Sequence, residues 1–331
     1  MSSQNPNDGL FDHVTRVRTQ QTSLKDTIAK LGLTPYPHLI PKYPKKTAIS
    51  WRFRYIPELI LDHKYKPKPI TESSIGWDEN DQVLFVFRKG VLGDAEQLQA
   101  LHGLKAMGWS KCHRSKRKEL KRADWFNRSE GQLDPVPAEE VNMGFGARSY
   151  IYDMGSEKKY YKQNQKAAPD LTPLLLEMAA KFGDVLPKLF GQQDARVKLP
   201  FRLQNLPFTT LTLLRSAPAA IHVDHNGKAM YACMTSVAPQ KYTGGTFCLV
   251  QYGLSFAVTP GDLLVAATSE NEHCNLNPVV GEKYSVIAYV KKVVTNNKRL
   301  RDEYIADPKN PGGRRFPKRK RSAAANPLQT R

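Results

Sequence analysis

From Phe201 onward the chain breaks into short runs of β-branched and other apolar residues, each closed by turn-forming residues: TTLTLL, AMYACMTSV, GGTFCLV, LSFAV, DLLVAAT and KYSVIAYVKKVV. Runs this short, spaced this regularly, read as strands. Strands must pair to satisfy their backbone donors and acceptors, so the pattern predicts a β-barrel or β-sandwich.

The rest of the chain is organised around that block. Its 331 residues suffice for one substantial core with an N-terminal extension, or for two modest domains. Residues 1–33 are polar, with an amphipathic helix expected through Val14, Val17, Leu24, Ile28 and Leu31. Residues 34–200 read as a basic extension with supporting helices. They begin with a proline- and lysine-rich stretch holding an aromatic, basic strand, SWRFRYIP (50–57). A strand follows in DQVLFVFRKG, then a helix in DAEQLQALHGLKAMG, whose Ala95, Leu98, Leu101 and Leu104 recur at helical spacing. A second helix, from Asp170 to Gly191, is expected to pack through Leu174, Leu175, Met178, Ala179, Phe182 and Leu186. Residues 201–294 form the expected core and 295–331 a basic tail.

Net charge is +19, with a pI near 9.7, which favours a polyanionic partner bound in a salt-dependent way. Nucleic acid leads that class. KCHRSKRKELKR (111–122) carries seven Lys and Arg residues against one acidic residue, with Trp125 and Phe126 close behind. It reads either as a phosphate-contacting element or as a solvated face. GGRRFPKRKR (312–321) suits a nuclear localisation signal or a nonspecific nucleic-acid arm, and the nucleus is the expected location. No run of 18 apolar residues offers a membrane span, and the polar N-terminus lacks a secretory signal. Cys112, Cys233, Cys248 and Cys274 form no CxxC pair and are expected as free thiols.

The chemistry concentrates in AAIHVDHNG. His222 and Asp224 are two apart, so on a strand both project to one face and can meet one metal. A histidine from a later strand would complete a facial site of two histidines and one carboxylate, as in non-haem Fe(II) oxygenases. His273 is the only histidine after His225. Alone, HxD equally describes a hydrogen-bonded structural histidine; the order of the surrounding features carries more. Gly244 and Gly245 open a strand, Pro260, Gly261 and Asp262 make a turn, His273 follows, and Lys283 and Ser285 share a strand face with Ile287, Tyr289 and Lys291.

This order resembles the double-stranded β-helix of 2-oxoglutarate dioxygenases. The stretch from Gly244 to Lys292 is most similar to the TET/JBP oxygenases of methylated DNA bases, particularly the fungal transposon-associated TET-like proteins. The resemblance implies an α+β protein with a double-stranded β-helix (jelly-roll) core, flanked by N-terminal helices and an extended basic N-terminal region. It further implies Fe(II) on His222, Asp224 and His273, with 2-oxoglutarate and O2 as co-substrates. Lys283 and Ser285 would hold the remote oxoglutarate carboxylate, a lysine standing where arginine is usual, and Arg215 would be a second contact. Lys291 falls where relatives place a base-contacting side chain. Arg148 and Tyr150 would line the base pocket or belong to a structural strand. The implied substrate is a methylated base flipped out of double-stranded DNA: 5-methylcytosine, oxidised to 5-hydroxymethylcytosine and beyond, or N6-methyladenine, demethylated. No obligate protein partner is expected. The competing readings are a 2-oxoglutarate dioxygenase acting on RNA or protein, and a non-enzymatic basic DNA-binding protein.

Overall fold

A computed structural model of the chain describes residues 24–42, 67–111, 139–144, 161–197, 202–203, 206–217, 219, 221–224, 230–276 and 279–291. Its strands, in chain order, are β1 (Thr34–Leu39), β2 (Lys68–Ile70), β3 (Ser74–Asp78), β4 (Val83–Arg88), β5 (Ser110–Lys111), β6 (Glu139–Gly144), β7 (Thr210–Arg215), β8 (Ala232–Val237), β9 (Thr246–Leu249), β10 (Leu254–Phe256), β11 (Leu263–Ala266), β12 (His273–Leu276) and β13 (Tyr284–Tyr289). They form a large sheet in the order β1-β3-β4-β11-β8-β13-β7-β6-β5 and a small one in the order β12-β9-β10-β2.

The central strands are apolar almost throughout because both faces are covered, and alternation divides their side chains between two cores. From β11, Leu263 and Val265 join the core shared with the helices, while Leu264 and Ala266 point between the sheets. From β13, Tyr284, Val286 and Ala288 face the helices, while Ile287 and Tyr289 face inward. The space between the sheets is filled by Phe85, Phe87, Phe247 and Phe256. The Phe256 ring meets Phe85 edge-on at 4.8 Å and Phe87 at 5.7 Å.

Adjacent in the large sheet, β7, β13, β8 and β11 face β12, β9 and β10 of the small sheet. The extended segment 221–224 pairs with β12 through a bridge between His222 and His273. This is the double-stranded β-helix. Its PGD turn is stabilised from several sides: Asp262 N–H donates to the Thr259 carbonyl at 3.0 Å, and Gly261 adopts φ +89 at the turn position that needs a positive φ. The buried Asp262 carboxylate accepts from the backbone N–H groups of Thr259 and Gly90 and pairs with Lys89 at 3.3 Å.

The helices are α1 (24–31), α2 (Asp94–Ala106), α3 (Tyr161–Ala167), α4 (Thr172–Val185) and α5 (Pro187–Arg196). Leu24, Ile28 and Leu31 of α1 pack against the helix-side core as expected. The periodicity of α2 misplaces its inner face, since Gln97, Ala100, Gly103 and Leu104 are buried whereas Leu98 is 70% exposed. A polar residue takes an inner position because its amide is satisfied there: Gln97 Nε2 donates to the Leu92 carbonyl at 3.1 Å. Gly103 is needed for contact, since a Cβ there would lie 2.8 Å from the Ala167 carbonyl oxygen. All six side chains expected to pack from Asp170 to Gly191 are buried, but the helix is not continuous. A 3-10 turn (Ala168–Leu171) leads into α4, and the axis breaks at Leu186, which Pro187 excludes from the helical region before starting α5.

Residues 34–200 are more than an extension. Strands β1, β3, β4, β5 and β6 belong to the large sheet and β2 to the small one, with β4 paired directly to β11. Phe85 and Phe87 place this segment inside the core. Val14, Val17, SWRFRYIP, the basic run beyond Lys111, Arg148, Tyr150, Cys112 and the tail lie outside the described residues. Cys233, Cys248 and Cys274 are buried free thiols. Among the described residues no helix is long and apolar enough to cross a membrane.

Candidate metal centre

HxD lies on the short extended segment 221–224. His222 N–H donates to the His273 carbonyl at 3.0 Å and His273 N–H to the His222 carbonyl at 2.9 Å, while Asp224 N–H donates to the Thr268 carbonyl at 3.0 Å. These bonds fix three side chains from separate stretches of chain in one place. The imidazole centroids are 4.2 Å apart, His222 Nε2 is 3.5 Å from Asp224 Oδ1, and His273 Nε2 is 3.7 Å from Asp224 Oδ2. All three potential ligand atoms lie within 4.8 Å of one another.

The donor chemistry matches a facial Fe(II) site of two neutral imidazoles and one carboxylate. His273 Nδ1 is 3.0 Å from the Asn271 carbonyl, which can only accept, so the proton sits on Nδ1 and the Nε2 lone pair faces the centre. Phe247 stacks on the same ring at 5.5 Å. Burial would raise the Asp224 carboxyl, but His273, His222 and the Thr268 hydroxyl outweigh it and hold the group well below the usual carboxylate range.

The cavity around this centre lies between the sheets and is lined by polar groups of β7, β8 and β13 together with Met234, Phe247, Val258 and Ile287. Lys283 enters it 4% exposed. Its Nζ donates to the Gly245 carbonyl at 2.9 Å and stands 5.2 Å from the Tyr242 ring centre; burial pushes its ammonium down to about 8. Gly245 has φ +63, and a Cβ there would meet Lys283 Nζ at 3.2 Å, so the second hairpin glycine leaves room for the lysine. Ser285 lines the same cavity.

Arg215 is not among the cavity-lining residues. It follows Leu214, which does line the cavity, and its guanidinium is held by Glu139 at 2.9 Å and Glu282 at 2.7 Å. The expected second contact to oxoglutarate is therefore engaged elsewhere, because neighbouring strand residues point to opposite faces. Lys291 is also outside the lining; its backbone N–H donates to Thr209 Oγ1 at 2.8 Å. Sequence reasoning missed Thr212, Thr268 and Asn275 as lining residues. Thr212 was legible from strand parity with Leu214. Thr268 carried no sequence signal, since a turn brings it to Asp224.

The double-stranded β-helix thus carries a His-Asp-His cluster with the donor set of a facial Fe(II) site. Residues 144–292 match the family described as the oxygenase domain of the 2OGFeDO superfamily, Tet_JBP. Thymine dioxygenases JBP1-A and JBP1-B of Trypanosoma cruzi (strain CL Brener) are each 28% identical over 116 residues, covering 35% of this chain and 14% of the relative. The match therefore spans a small part of those proteins. The structure of NgTET1 in complex with 5mC DNA superposes with a TM-score of 0.52 at 11% identity, over 84% of this chain and 91% of that one. At that identity the likeness is one of fold.

Proposed function

We propose that this protein is a DNA-base dioxygenase that oxidises the methyl group of a modified base flipped out of the duplex. The observation that carries the reading is the convergence of His222, Asp224 and His273, with potential ligand atoms within 4.8 Å, inside the stretch 144–292 that matches the Tet_JBP oxygenase-domain family. In this reading the three residues hold Fe(II). With 2-oxoglutarate and O2, the iron supplies the oxidation: one oxygen atom enters the methyl C–H bond and the other enters the succinate left when oxoglutarate loses carbon dioxide.

The chain's own contribution is positional. Lys283 presents a buried cation to the remote oxoglutarate carboxylate, and Ser285, on the same strand face, adds a hydroxyl donor. As a point charge rather than a fork, Lys283 fixes the carboxylate's location more than its orientation. Phe247 and Ile287 give the otherwise polar cavity an apolar wall. A base methyl inside a duplex is out of reach of a cavity between two sheets, so the substrate must be extruded. 5-Methylcytosine is the first substrate to test and N6-methyladenine the second. The net charge of +19 suits phosphate binding without sequence choice, and in this reading the protein works in the nucleus.

The test is succinate formation from oxoglutarate in the presence of methylated duplex DNA, compared with RNA and with peptides. Methylated duplex should stimulate turnover most, and His222→Ala and Asp224→Ala should abolish it while DNA binding is retained. Equal turnover by either variant would refute the assigned ligands, and stimulation by RNA or peptide alone would refute the DNA substrate.

A further inference from the structure

We infer that Tyr242 is a positioning residue for Lys283, the face of its ring holding the buried ammonium where the remote carboxylate of oxoglutarate would meet it. The inference deepens the proposed function and rests on its assignment of Lys283 to that carboxylate. Lys283 has little else to hold its charge. The residue is buried, none of the ion pairs among the described residues involves it, and the Gly245 carbonyl, at 2.9 Å, takes one of its N–H donors. A buried cation without a counter-ion is unfavourable, and an aromatic face offers it partial negative charge without the desolvation of a second ion. The Tyr242 ring supplies that face, with Nζ 5.2 Å from its centre, inside the range over which the attraction acts.

The ring is itself held in place. Its hydroxyl donates to the Val258 carbonyl at 2.7 Å, just ahead of the PGD turn. At its other end, the neighbouring backbone is tied to the segment that leads into β13: Thr243 N–H donates to the Val280 carbonyl at 3.1 Å and Val280 N–H to the Thr243 carbonyl at 3.0 Å. Gly281 permits this close approach, since its φ is +92 and a Cβ there would lie 3.3 Å from Tyr242 Cβ. Lys283 is carried by the same segment and fixed in turn by Ser216, whose N–H donates to the Lys283 carbonyl at 2.8 Å. Ring and ammonium are therefore brought together by the backbone and not only by their own attraction. Lys283 and Gly245 line the cavity and Tyr242 does not, so the ring acts through the lysine and not on a ligand directly. Where an arginine fork would set its own orientation, this lysine has its position set by a carbonyl and a ring.

The experiment is calorimetric titration of the full chain, loaded with Co(II), with 2-oxoglutarate. Replacing Tyr242 by phenylalanine and then by mono-, di- and trifluorinated phenylalanine nearly preserves the shape of the ring while withdrawing negative charge from its face. Kd should rise stepwise along this series, by about tenfold at the trifluorinated member, and Tyr242→Leu should raise it at least as far. The fluorinated series keeps the test intact should the leucine variant fail to fold. A constant Kd along the series would overturn the proposal. So would a loss complete at Tyr242→Phe with no further rise on fluorination, since that would assign the effect to the hydroxyl on Val258. Failure of the wild-type chain to bind oxoglutarate, or wild-type affinity in Lys283→Ala, would instead remove the assignment of Lys283, a failure distinct from that of Tyr242.

Discussion

At the residue scale the site depends on where protons sit. Lys283 carries a buried ammonium whose pKa is lowered by desolvation to about 8. Because the folded value lies below the ordinary 10.5, the folded protein carries a penalty that is fully present below about pH 8 and relieved as pH rises toward 10.5. On the proposed function, an oxoglutarate carboxylate would offset that penalty only while the lysine is charged. The KM for oxoglutarate should therefore be low below pH 8 and climb as pH is raised through it, a steady-state pH series being the check. Lys283→Ala should raise that KM by about 10- to 100-fold and remove the pH dependence, leaving Co(II) affinity near wild type. The convergence of His222, Asp224 and His273 was legible in the sequence because HxD sets two side chains at one strand spacing and only one histidine follows His225. Thr268 was not, because its approach to Asp224 depends on a turn that places two sequence-distant segments side by side.

At the element scale, β7 and β13 carry opposite duties on their two faces. The inward face holds Thr212, Leu214, Lys283, Ser285, Ile287 and Tyr289 in the cavity. The outward face carries Arg215, bridging Glu139 of β6 and Glu282 two residues before β13, with the Tyr284 hydroxyl donating to Glu282 at 2.7 Å. Arg215 thus clasps the strand end from which Lys283 projects. Arg215→Ala should lower stability by about 1 kcal/mol, a modest loss because the pair is partly exposed, and should leave metal affinity unchanged. Thermal denaturation with and without Co(II) reads both effects. Strand existence was legible from the short runs and their turns. The expectation for Arg215 failed on parity: with Leu214 facing the cavity, its neighbour had to face away. The α2 error has the same character, since periodicity cannot tell which of two apolar stripes is buried when a glutamine finds its partners inside.

At the scale of the whole molecule, the N-terminal segment completes the two-sheet core, with β4 against β11 and β2 against β10. Phe85 and Phe87 from that segment close on Phe256 of the small sheet. Phe256→Ala should cost about 3–5 kcal/mol, and guanidinium unfolding should show the loss in a single transition rather than in the small sheet alone. Sequence reasoning placed this segment outside the core because proline and lysine dominate its beginning, while the contacts that draw it in come from a few aromatic residues far along the chain. What the whole architecture provides is a cavity between the sheets whose lining holds the His222, Asp224 and His273 cluster and the buried Lys283 ammonium. The substrate is the central claim. Mass spectrometry of nucleosides, after incubating the protein with Fe(II), oxoglutarate and duplex DNA containing 5-methylcytosine or N6-methyladenine, tests it most directly. Oxoglutarate-dependent appearance of 5-hydroxymethylcytosine, or loss of the N6-methyl group, is the predicted result; both bases unchanged while oxoglutarate is consumed would contradict it.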